Sequence, residues 1–331
     1  MNENLDVVTD TKQTITLFYG GVVNLGRKMN DLSKTLKPFV GITEMSSADL
    51  RLVDLECVIA TKGAPKLTKN HFNFRAKPEQ INILTKANVN IVLTANDHAG
   101  DYGAEALLEQ REYLDAAGIL HTGSGKNFSE AFEPVYKHVN NITLAIFSVD
   151  TTRRSSAAKV DSAGTAYLSP DNLELWKETF ADRIRAAREK AHVVIVAPHW
   201  GANLVNKPSN AVKKIGRLLV DLGADAVLGC NSHKIQGVEN YKDRPIIYDA
   251  GDLLFDVGRR NGGSFVLEIS ADGVEHVKFI PLLVRPGQSR RAINSAPPIV
   301  KDFVALCKEF NTSVNMWGGV YCRNIVHAAA A

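Results

Sequence analysis

The chain of 331 residues lacks the features that define several large classes of protein. Its four cysteines are scattered and none forms a Cys-x-x-Cys pair, so we interpret them as reduced thiols. No run of 18 apolar residues occurs, so no segment is predicted to span a membrane. The formal net charge is only +3 and no basic tract is present, so nucleic acid is not an expected partner.

The first 13 residues are polar and do not show the basic and then apolar pattern of an export signal. Together with the reduced thiols, this predicts a cytoplasmic protein with no membrane partner. The apolar fraction of 45% is that of a folded chain and excludes wholesale disorder. Length alone fits one large α/β domain or two smaller ones.

Short β-branched runs alternate with longer amphipathic stretches, which predicts a layered α/β protein. Strands are predicted at 14–23, 50–59, 89–94, 142–149, 193–197, 226–228, 245–249, 264–269 and 274–283. Helices are predicted at 77–88, 102–117, 171–191 and 208–222, with a last one beginning near Pro297. The polar segment 151–165 is predicted to be a surface loop near the site.

Polar side chains follow most of the predicted strands. Those of interest are Asn24, Arg27, Asp54, Glu56, 96–101, His199, 230–233 and Asp252. Open α/β sheets bind ligands beyond the carboxyl ends of their strands, so the set as a whole favours a functional site there. For any single loop, the alternative that Asn, Asp and Ser simply form a turn is favoured.

The motifs of the chain resemble those of the CapA (PgsA) capsule-synthesis family. These motifs are GVVNLGR at 21–27, DLE at 54–56, FRAKP at 74–78, ANDHAGDYG at 95–103, HWG at 199–201 and GADAVLGCNSHKIQGVENYKDRPIIYDAGDLLFD at 223–256. The resemblance implies a four-layer α-β-β-α sandwich of metallophosphoesterase type, with two mixed sheets packed face to face. It implies one domain at 14–311, preceded by a polar segment at 1–13 and followed by a C-terminal extension at 312–331.

The same resemblance implies the positions of a metal site. It places Glu56 where a carboxylate bridges two ions, and it places Asn96 and His199 on one of them. The family's His-x-His pair corresponds to Asn231 and His233. Such a ligand set suits Zn, Mn or Fe. The catalytic histidine corresponds to His98, and we expect Asp101 to hold its second ring nitrogen.

Four positions depart from the family pattern and reduce the predicted metal content. Val22 replaces an aspartate, Asn231 replaces a histidine, Asn203 replaces an acid, and Asp97 stands where a second asparagine is usual. Valine cannot bind a metal and asparagine is a weaker ligand than histidine. We therefore predict at most one divalent ion, with a metal-free pocket as the alternative.

Four further residues are predicted to bind substrate: Asn24, Arg27, Arg75 and Asp252. A guanidinium group binds carboxylate or phosphate through two parallel hydrogen bonds, and the alternative for either arginine is a structural ion pair. Cys230 stands beside Asn231 and would be a nucleophile if its thiol pKa were lowered. A buried inert thiol is the favoured interpretation.

Two functions from different classes follow. The first is a metal-dependent hydrolase that acts on a phosphoester or amide of an acidic, glutamate-like compound in a biosynthetic pathway. The second is a non-catalytic binding or accessory protein of a poly-γ-glutamate or capsule-type synthase, which keeps an anion-binding pocket. Both have a small acidic or phosphorylated partner, and both leave the oligomeric state open.

Overall fold

The computed structural model describes residues 13–32, 37–66, 72–256, 258–293, 296–315 and 319–321. Its strands are β1 (Ile15–Val23), β2 (Phe39–Val40), β3 (Leu50–Leu55), β4 (Val58–Ile59), β5 (Arg75–Ala76), β6 (Ile91–Leu93), β7 (Leu120–Thr122), β8 (Ser124–Gly125), β9 (Val135–Val139), β10 (Ile142–Asp150), β11 (Gly164–Thr165), β12 (Val193–His199), β13 (Ala226–Leu228), β14 (Val238–Tyr241), β15 (Arg244–Ile247), β16 (Asp252–Leu254), β17 (Arg260–Ser270), β18 (Gly273–Arg285), β19 (Gln288–Arg291) and β20 (Gly319–Tyr321).

The helices are α1 (Met29–Leu32), α2 (Thr43–Ser47), α3 (Ile81–Lys86), α4 (Gly103–Ala116), α5 (Phe128–Ala131), α6 (Leu173–Arg188), α7 (Asn210–Asp221) and α8 (Ala296–Lys308). Single 3₁₀ turns lie at Pro78–Gln80 and Arg154–Ser156. Among the described residues, no helix is both long enough and apolar enough to cross a bilayer.

Ten of the described strands form the larger sheet, in the order β2-β19-β18-β17-β1-β3-β6-β7, with β16 paired to β1 and β20 paired to β18. The sheet is mixed, since β1, β3, β6 and β7 run parallel while β17 and β18 run antiparallel. The smaller sheet has the order β14-β15-β13-β12-β10-β9 and is mixed as well.

The two sheets pack face to face around a shared apolar core. Strands of both sheets contribute to this core, including Leu17 of β1 and Leu144 of β10. The outer face of the larger sheet packs against α2, α3 and α4, and the outer face of the smaller sheet packs against α5, α6 and α7. These layers confirm the predicted α-β-β-α sandwich.

The central strands are apolar on both faces because both of their faces are covered. In β10, Leu144 and Ile146 face the core between the sheets, while Ala145 and Phe147 pack beneath the outer helices. Such strands lack the alternation of a half-exposed strand, which is why they appear in the sequence as continuous apolar runs.

Several local features differ from the sequence-based prediction. The run at 50–59 divides into β3 and β4, because Glu56 and Cys57 lie between them and outside either strand. Segment 151–165 is not wholly irregular, since β11 pairs with β8.

The short elements α2, β7, β9 and α5 were not predicted, because a few residues carry too little periodicity to be recognised. Within the predicted C-terminal extension, β20 joins the larger sheet.

Candidate metal centre

The candidate site lies where the carboxyl ends of strands from both sheets meet. Glu56 follows β3, Asn96 to His98 follow β6, and His199 is the last residue of β12. His199 belongs to the smaller sheet, and so does the strand before His233, which lies five residues after the end of β13. The sheets converge at this edge, so residues far apart in sequence become neighbours.

Glu56 is the carboxylate at the centre of this group, and it is buried. Its Oε1 lies 3.8 Å from His98 Nε2 and 3.7 Å from His233 Nε2, and its Oε2 has no hydrogen-bond partner among the described residues. Burial, together with the neighbouring Asp97 and Asp54 charges, outweighs the histidines and raises the pKa of Glu56 well above its usual value.

Asp97 is a second carboxylate in the group and lies between two imidazoles. Its Oδ2 is 3.6 Å from His98 Nε2 and its Oδ1 is 3.2 Å from His199 Nε2. At this position the family pattern has an uncharged asparagine. Asp97 therefore adds a negative charge to a site that lacks the aspartate replaced by Val22.

The three histidines share one arrangement, in which an aspartate holds Nδ1 and Nε2 faces the central carboxylates. The Nδ1–Oδ pairs are His98–Asp101 at 2.7 Å, His199–Asp54 at 2.8 Å and His233–Asp252 at 2.8 Å. Carboxylates in this position fix the tautomer and orientation of metal-binding histidines. All three imidazoles thus direct Nε2 toward the central carboxylates.

The aspartates also change the acidity of their histidines. Burial lowers the pKa of His199, but the Asp54 carboxylate outweighs burial and holds it well above the usual value. Burial likewise lowers the pKa of His233, while Glu56 and Asp252 raise it, with a result of about 9. In the absence of a cation, this cluster therefore retains protons that a metal would displace.

The residues present fit a divalent cation. The gaps of 3.6 to 3.8 Å between Nε2 atoms and carboxylate oxygens are too long for hydrogen bonds. Ligand atoms about 2.1 Å from one tetrahedral ion lie about 3.4 Å apart, so gaps of this size suit atoms that share an ion. Ligand atoms of Glu56, Asp97 and His98 lie within 4.8 Å of one another, so the two carboxylates can share an ion beside His98.

The charge of the centre supports the same conclusion. Five carboxylates contribute, from Asp54, Glu56, Asp97, Asp101 and Asp252. Two guanidinium groups contact them: Arg260 NH1 lies 2.6 Å from Asp252 Oδ2, and Arg153 NH2 lies 3.8 Å from Asp101 Oδ1. When the histidines are neutral, as they are when they bind a metal, five carboxylates and two guanidinium groups leave three negative charges in a largely buried volume. A bound cation would offset these charges.

His98 is positioned by packing as well as by Asp101. Its ring stacks on Phe74, with centroids 3.7 Å apart and planes 15° from parallel. Asp101 Oδ2 also accepts a hydrogen bond from Phe74 N at 2.7 Å, so one carboxylate oxygen orients both partners of the stack. The N-cap residue of α4 is Tyr102, and its side chain makes no capping hydrogen bond.

Asn96 is buried, and both the nitrogen and the oxygen of its amide are hydrogen-bonded. Its Nδ2 donates to Asp54 Oδ1 and to Leu55 O, both at 2.9 Å, and its Oδ1 accepts from His98 N at 3.2 Å. These contacts orient the amide oxygen toward the loop that carries His98. A role as metal ligand stays a prediction.

Asn231, the other predicted amide ligand, has its amide nitrogen held by the neighbouring loop. Its Nδ2 donates to Trp200 O at 3.1 Å and to Gly201 O at 2.8 Å. No described contact joins its side chain to Glu56 or His233. Val22 lies in register between Asp54 and Asp252, so the missing aspartate of the family pattern would have stood beside both.

The predicted substrate-binding residues have structural partners. Arg27 Nε lies 3.2 Å from the buried Asp256, which is the ion pair considered as its alternative. Arg75 donates to the carbonyls of Lys62 and Gly63, both at 2.7 Å, and stacks over Tyr102. Its guanidinium is not brought to the histidines by any described contact.

The other two predicted substrate-binding residues are fully buried. Asn24 Oδ1 accepts from Gly26 N at 2.7 Å, which forms a local turn. Asp252 bridges His233 and Arg260 and acts as an orienting group for the histidine. Direct substrate contact by either residue stays a prediction.

Cys230 is a buried thiol that donates to Asp54 Oδ2 at 2.9 Å. Burial, and then the Asp54 charge, raises its thiol pKa well above the usual value, the opposite of what a nucleophile requires. This agrees with the inert-thiol interpretation. Asp54 joins the thiol to His199 through hydrogen bonds, and these three buried residues form a second group whose ligand atoms lie within 4.8 Å of one another.

We expect Cys230 to resist alkylation in the native protein, because its thiol is buried and protonated. Cys230→Ala should lower the free energy of unfolding by about 1–2 kcal/mol, since it removes one hydrogen bond and a small buried volume. Mass spectrometry after iodoacetamide treatment and denaturant unfolding measure the two effects. Rapid labelling of native Cys230 would contradict this prediction.

Three site residues were absent from the predicted ligand and catalytic set: Asp54, Asp97 and Cys230. Asp54 precedes Glu56 by two positions and so lies on the same side of an extended chain, a signal that was available in the sequence. Asp97 lies between two predicted site residues. The contact of Cys230 with Asp54 spans 176 positions, and nothing in the sequence indicates it.

Two mixed sheets packed face to face with helices outside form a fold of the metallophosphoesterase type. The family model described as "Bacterial capsule synthesis protein PGA_cap" matches residues 16–257, so the chain belongs to that family. This confirms the family predicted from the motifs.

Curated relatives agree with this assignment. The chain is 28% identical over 243 residues to the "Capsule biosynthesis protein CapA" of Bacillus anthracis, covering 71% of this chain and 57% of that protein. It is 27% identical over 195 residues to the "PGA biosynthesis protein CapA" of Bacillus subtilis, covering 58% and 50% respectively. The chain thus spans about half the length of these relatives.

Among solved structures, the chain is similar to a Staphylococcus aureus protein assigned as a 5'-nucleotidase, determined in complex with alpha-ketoglutarate. The TM-score is 0.50 at 11% identity, covering 90% of this chain and 58% of that one. At this identity the likeness concerns the fold alone.

Proposed function

We propose that this protein is a metal-dependent hydrolase of capsule or poly-γ-glutamate biosynthesis, acting on a phosphoester or amide of an acidic, glutamate-like compound. The observation that carries the proposal is the convergence of three aspartate-backed imidazoles on two central carboxylates. Structural histidines rarely need such an arrangement, whereas metal ligands and catalytic bases do.

Glu56, Asp97, His199 and His233 would hold one divalent ion, with the Asn96 amide oxygen as a further ligand. A bound ion would polarise the scissile group and activate water for attack. Mn, Zn or Fe fits this mixture of imidazole and carboxylate better than Ca. We assign one ion rather than two, because Val22 and Asn231 stand where the family pattern has two further ligands.

His98 is proposed to transfer the proton to the leaving group. Because Asp101 holds Nδ1, the proton that moves is the one on Nε2. That nitrogen lies 3.8 Å from Glu56 Oε1 and 3.6 Å from Asp97 Oδ2, beside the carboxylates that would hold the ion. Phe74 fixes the ring plane, which keeps the transfer direction constant.

The test combines metal content with turnover. We expect elemental analysis of protein reconstituted with Zn, Mn or Fe to give one ion per chain, and hydrolysis of p-nitrophenyl phosphate or γ-glutamyl-p-nitroanilide to depend on that ion. Val22→Asp together with Asn231→His should raise the content toward two, because it restores both missing ligands. Two ions in the unaltered chain would contradict the ligand assignment.

A second function is a non-catalytic accessory protein of a poly-γ-glutamate or capsule-type synthase. The observation in its favour is the loss of ligands at Val22 and Asn231, which a binding protein tolerates. Reconstituted protein that contains no ion and hydrolyses neither probe would support this function over the hydrolase.

A further inference from the structure

A cavity of about 90 Å³ lies between the N-terminus of α4 and the 151–165 loop, and we call it the α4 cavity. Glycines and alanines form much of its wall, so little side-chain bulk separates it from the backbone. These wall residues are Gly100, Gly103, Ala104, Ala157, Ala163 and Gly164. Its polar side chains are Lys66, Ser155 and Ser156.

Lys66 brings a positive charge to the α4 cavity. It is half-buried, and the Asp101 charge, which raises its pKa, acts on it less than burial and the Arg153 charge do. That Nζ is 3.6 Å from the point where a Cβ on Gly100 would stand. Burial, and then the nearby Arg153 charge, lowers the pKa of Lys66, so an anion beside it would be favourable.

Ser156 supplies a hydroxyl without a partner. The residue is 5% exposed, and its Oγ makes no hydrogen bond with the described residues. Ser156 Oγ and Lys66 Nζ both lie next to Gly100. A Cβ added to Gly100 would overlap Ser156 Oγ and would lie 3.6 Å from Lys66 Nζ. A buried hydroxyl without a partner is costly, and a bound acceptor would remove that cost.

The N-terminus of α4 adds to this set. The helix has 14 residues and no side-chain cap, so its first N–H groups and dipole favour negative charge beside Gly103 and Ala104. Arg153 NH2, largely buried, lies nearby and makes no hydrogen bond with the described residues. The donors at the cavity wall therefore come from three separate features of the chain: Lys66, Ser156 and the N-terminus of α4.

We propose that the α4 cavity binds one oxyanion, a carboxylate or a phosphate group. One water occupies about 30 Å³, so the cavity has room for a single such group, with the rest of a larger ligand lying outside it. Gly100 is two residues from His98, which places the oxyanion at the edge of the candidate centre. Its assignment as the acidic group of the substrate rests on the proposed function, whereas the binding site itself does not.

Isothermal titration of the full chain with inorganic phosphate and with glutarate tests the proposal. We expect one of them to bind with one site per chain and Lys66→Gln to weaken it about tenfold or more, because a charged hydrogen bond is lost. Ser156→Ala should weaken it by a smaller factor. The matched control is Lys213→Gln, which changes a half-buried lysine of α7 and should leave binding unchanged. Tighter phosphate binding indicates a phosphorylated ligand, and tighter glutarate binding indicates a carboxylate.

Glu56→Gln separates this site from the candidate centre. Binding that persists in Glu56→Gln and is lost in Lys66→Gln supports the α4 cavity, even if the unaltered chain hydrolyses nothing and the proposed function fails. Binding that is lost in Glu56→Gln but unchanged in Lys66→Gln and Ser156→Ala would place the anion at the centre and overturn the proposal. Absence of binding by either anion would overturn it as well, since the cavity would then hold only water.

Discussion

Glu56→Gln is expected to remove the divalent ion and abolish hydrolysis together. The amide keeps the shape of the side chain but removes the charge that faces His98 and His233 at 3.8 and 3.7 Å. Loss of an outer-shell partner typically weakens a metal site by about 10–100-fold, so loss of this central carboxylate should exceed about 100-fold. Elemental analysis after dialysis and turnover of the reconstituted variant measure both effects.

Glu109→Gln is the matched control for this variant. Glu109 is also buried, but it accepts hydrogen bonds from the backbone of Thr61 and Lys62, away from the histidines. The control should lose some stability and keep its metal. If Glu56→Gln retained one ion per chain, the centre would be assigned to the wrong carboxylate.

His98→Ala is expected to lower turnover by about 10²–10⁴-fold while leaving the metal content and the melting temperature close to those of the unaltered chain. The proton donor is removed, whereas Glu56, Asp97, His199 and His233 remain to hold the ion. Asp101→Asn should cost less, by about 10–100-fold, because it disturbs the orientation of His98 and turns an amide toward Arg153.

His121→Ala is the matched control for His98→Ala. His121 also pairs with an aspartate, since its Nε2 lies 3.0 Å from Asp115 Oδ1, but that pair is remote from the centre. The control should turn over at the rate of the unaltered chain. A His98→Ala protein that melts normally and retains full turnover would remove histidine catalysis and favour the accessory-protein function.

The amino-acid sequence by itself determined the family, the layered architecture and the chain positions of the site. Short β-branched runs separated by amphipathic helices require sheets covered by helices, because each apolar face must be buried. The motifs then placed Glu56, Asn96, His98, His199 and His233 after strands. One contact within the site was also predictable, because Asp101 follows His98 by only three residues.

Only the tertiary structure decided which groups act on one another. Asp54 holds His199 across 145 positions, and no local spacing connects them. Asp252 orients His233 from 19 positions along the chain, and no local spacing indicates that pairing. The direction of the Asn231 amide likewise depends on carbonyls of the neighbouring loop at Trp200 and Gly201. Partner choice at such a site follows from strand order and register, which arise from the packing of two whole sheets rather than from any segment of the sequence.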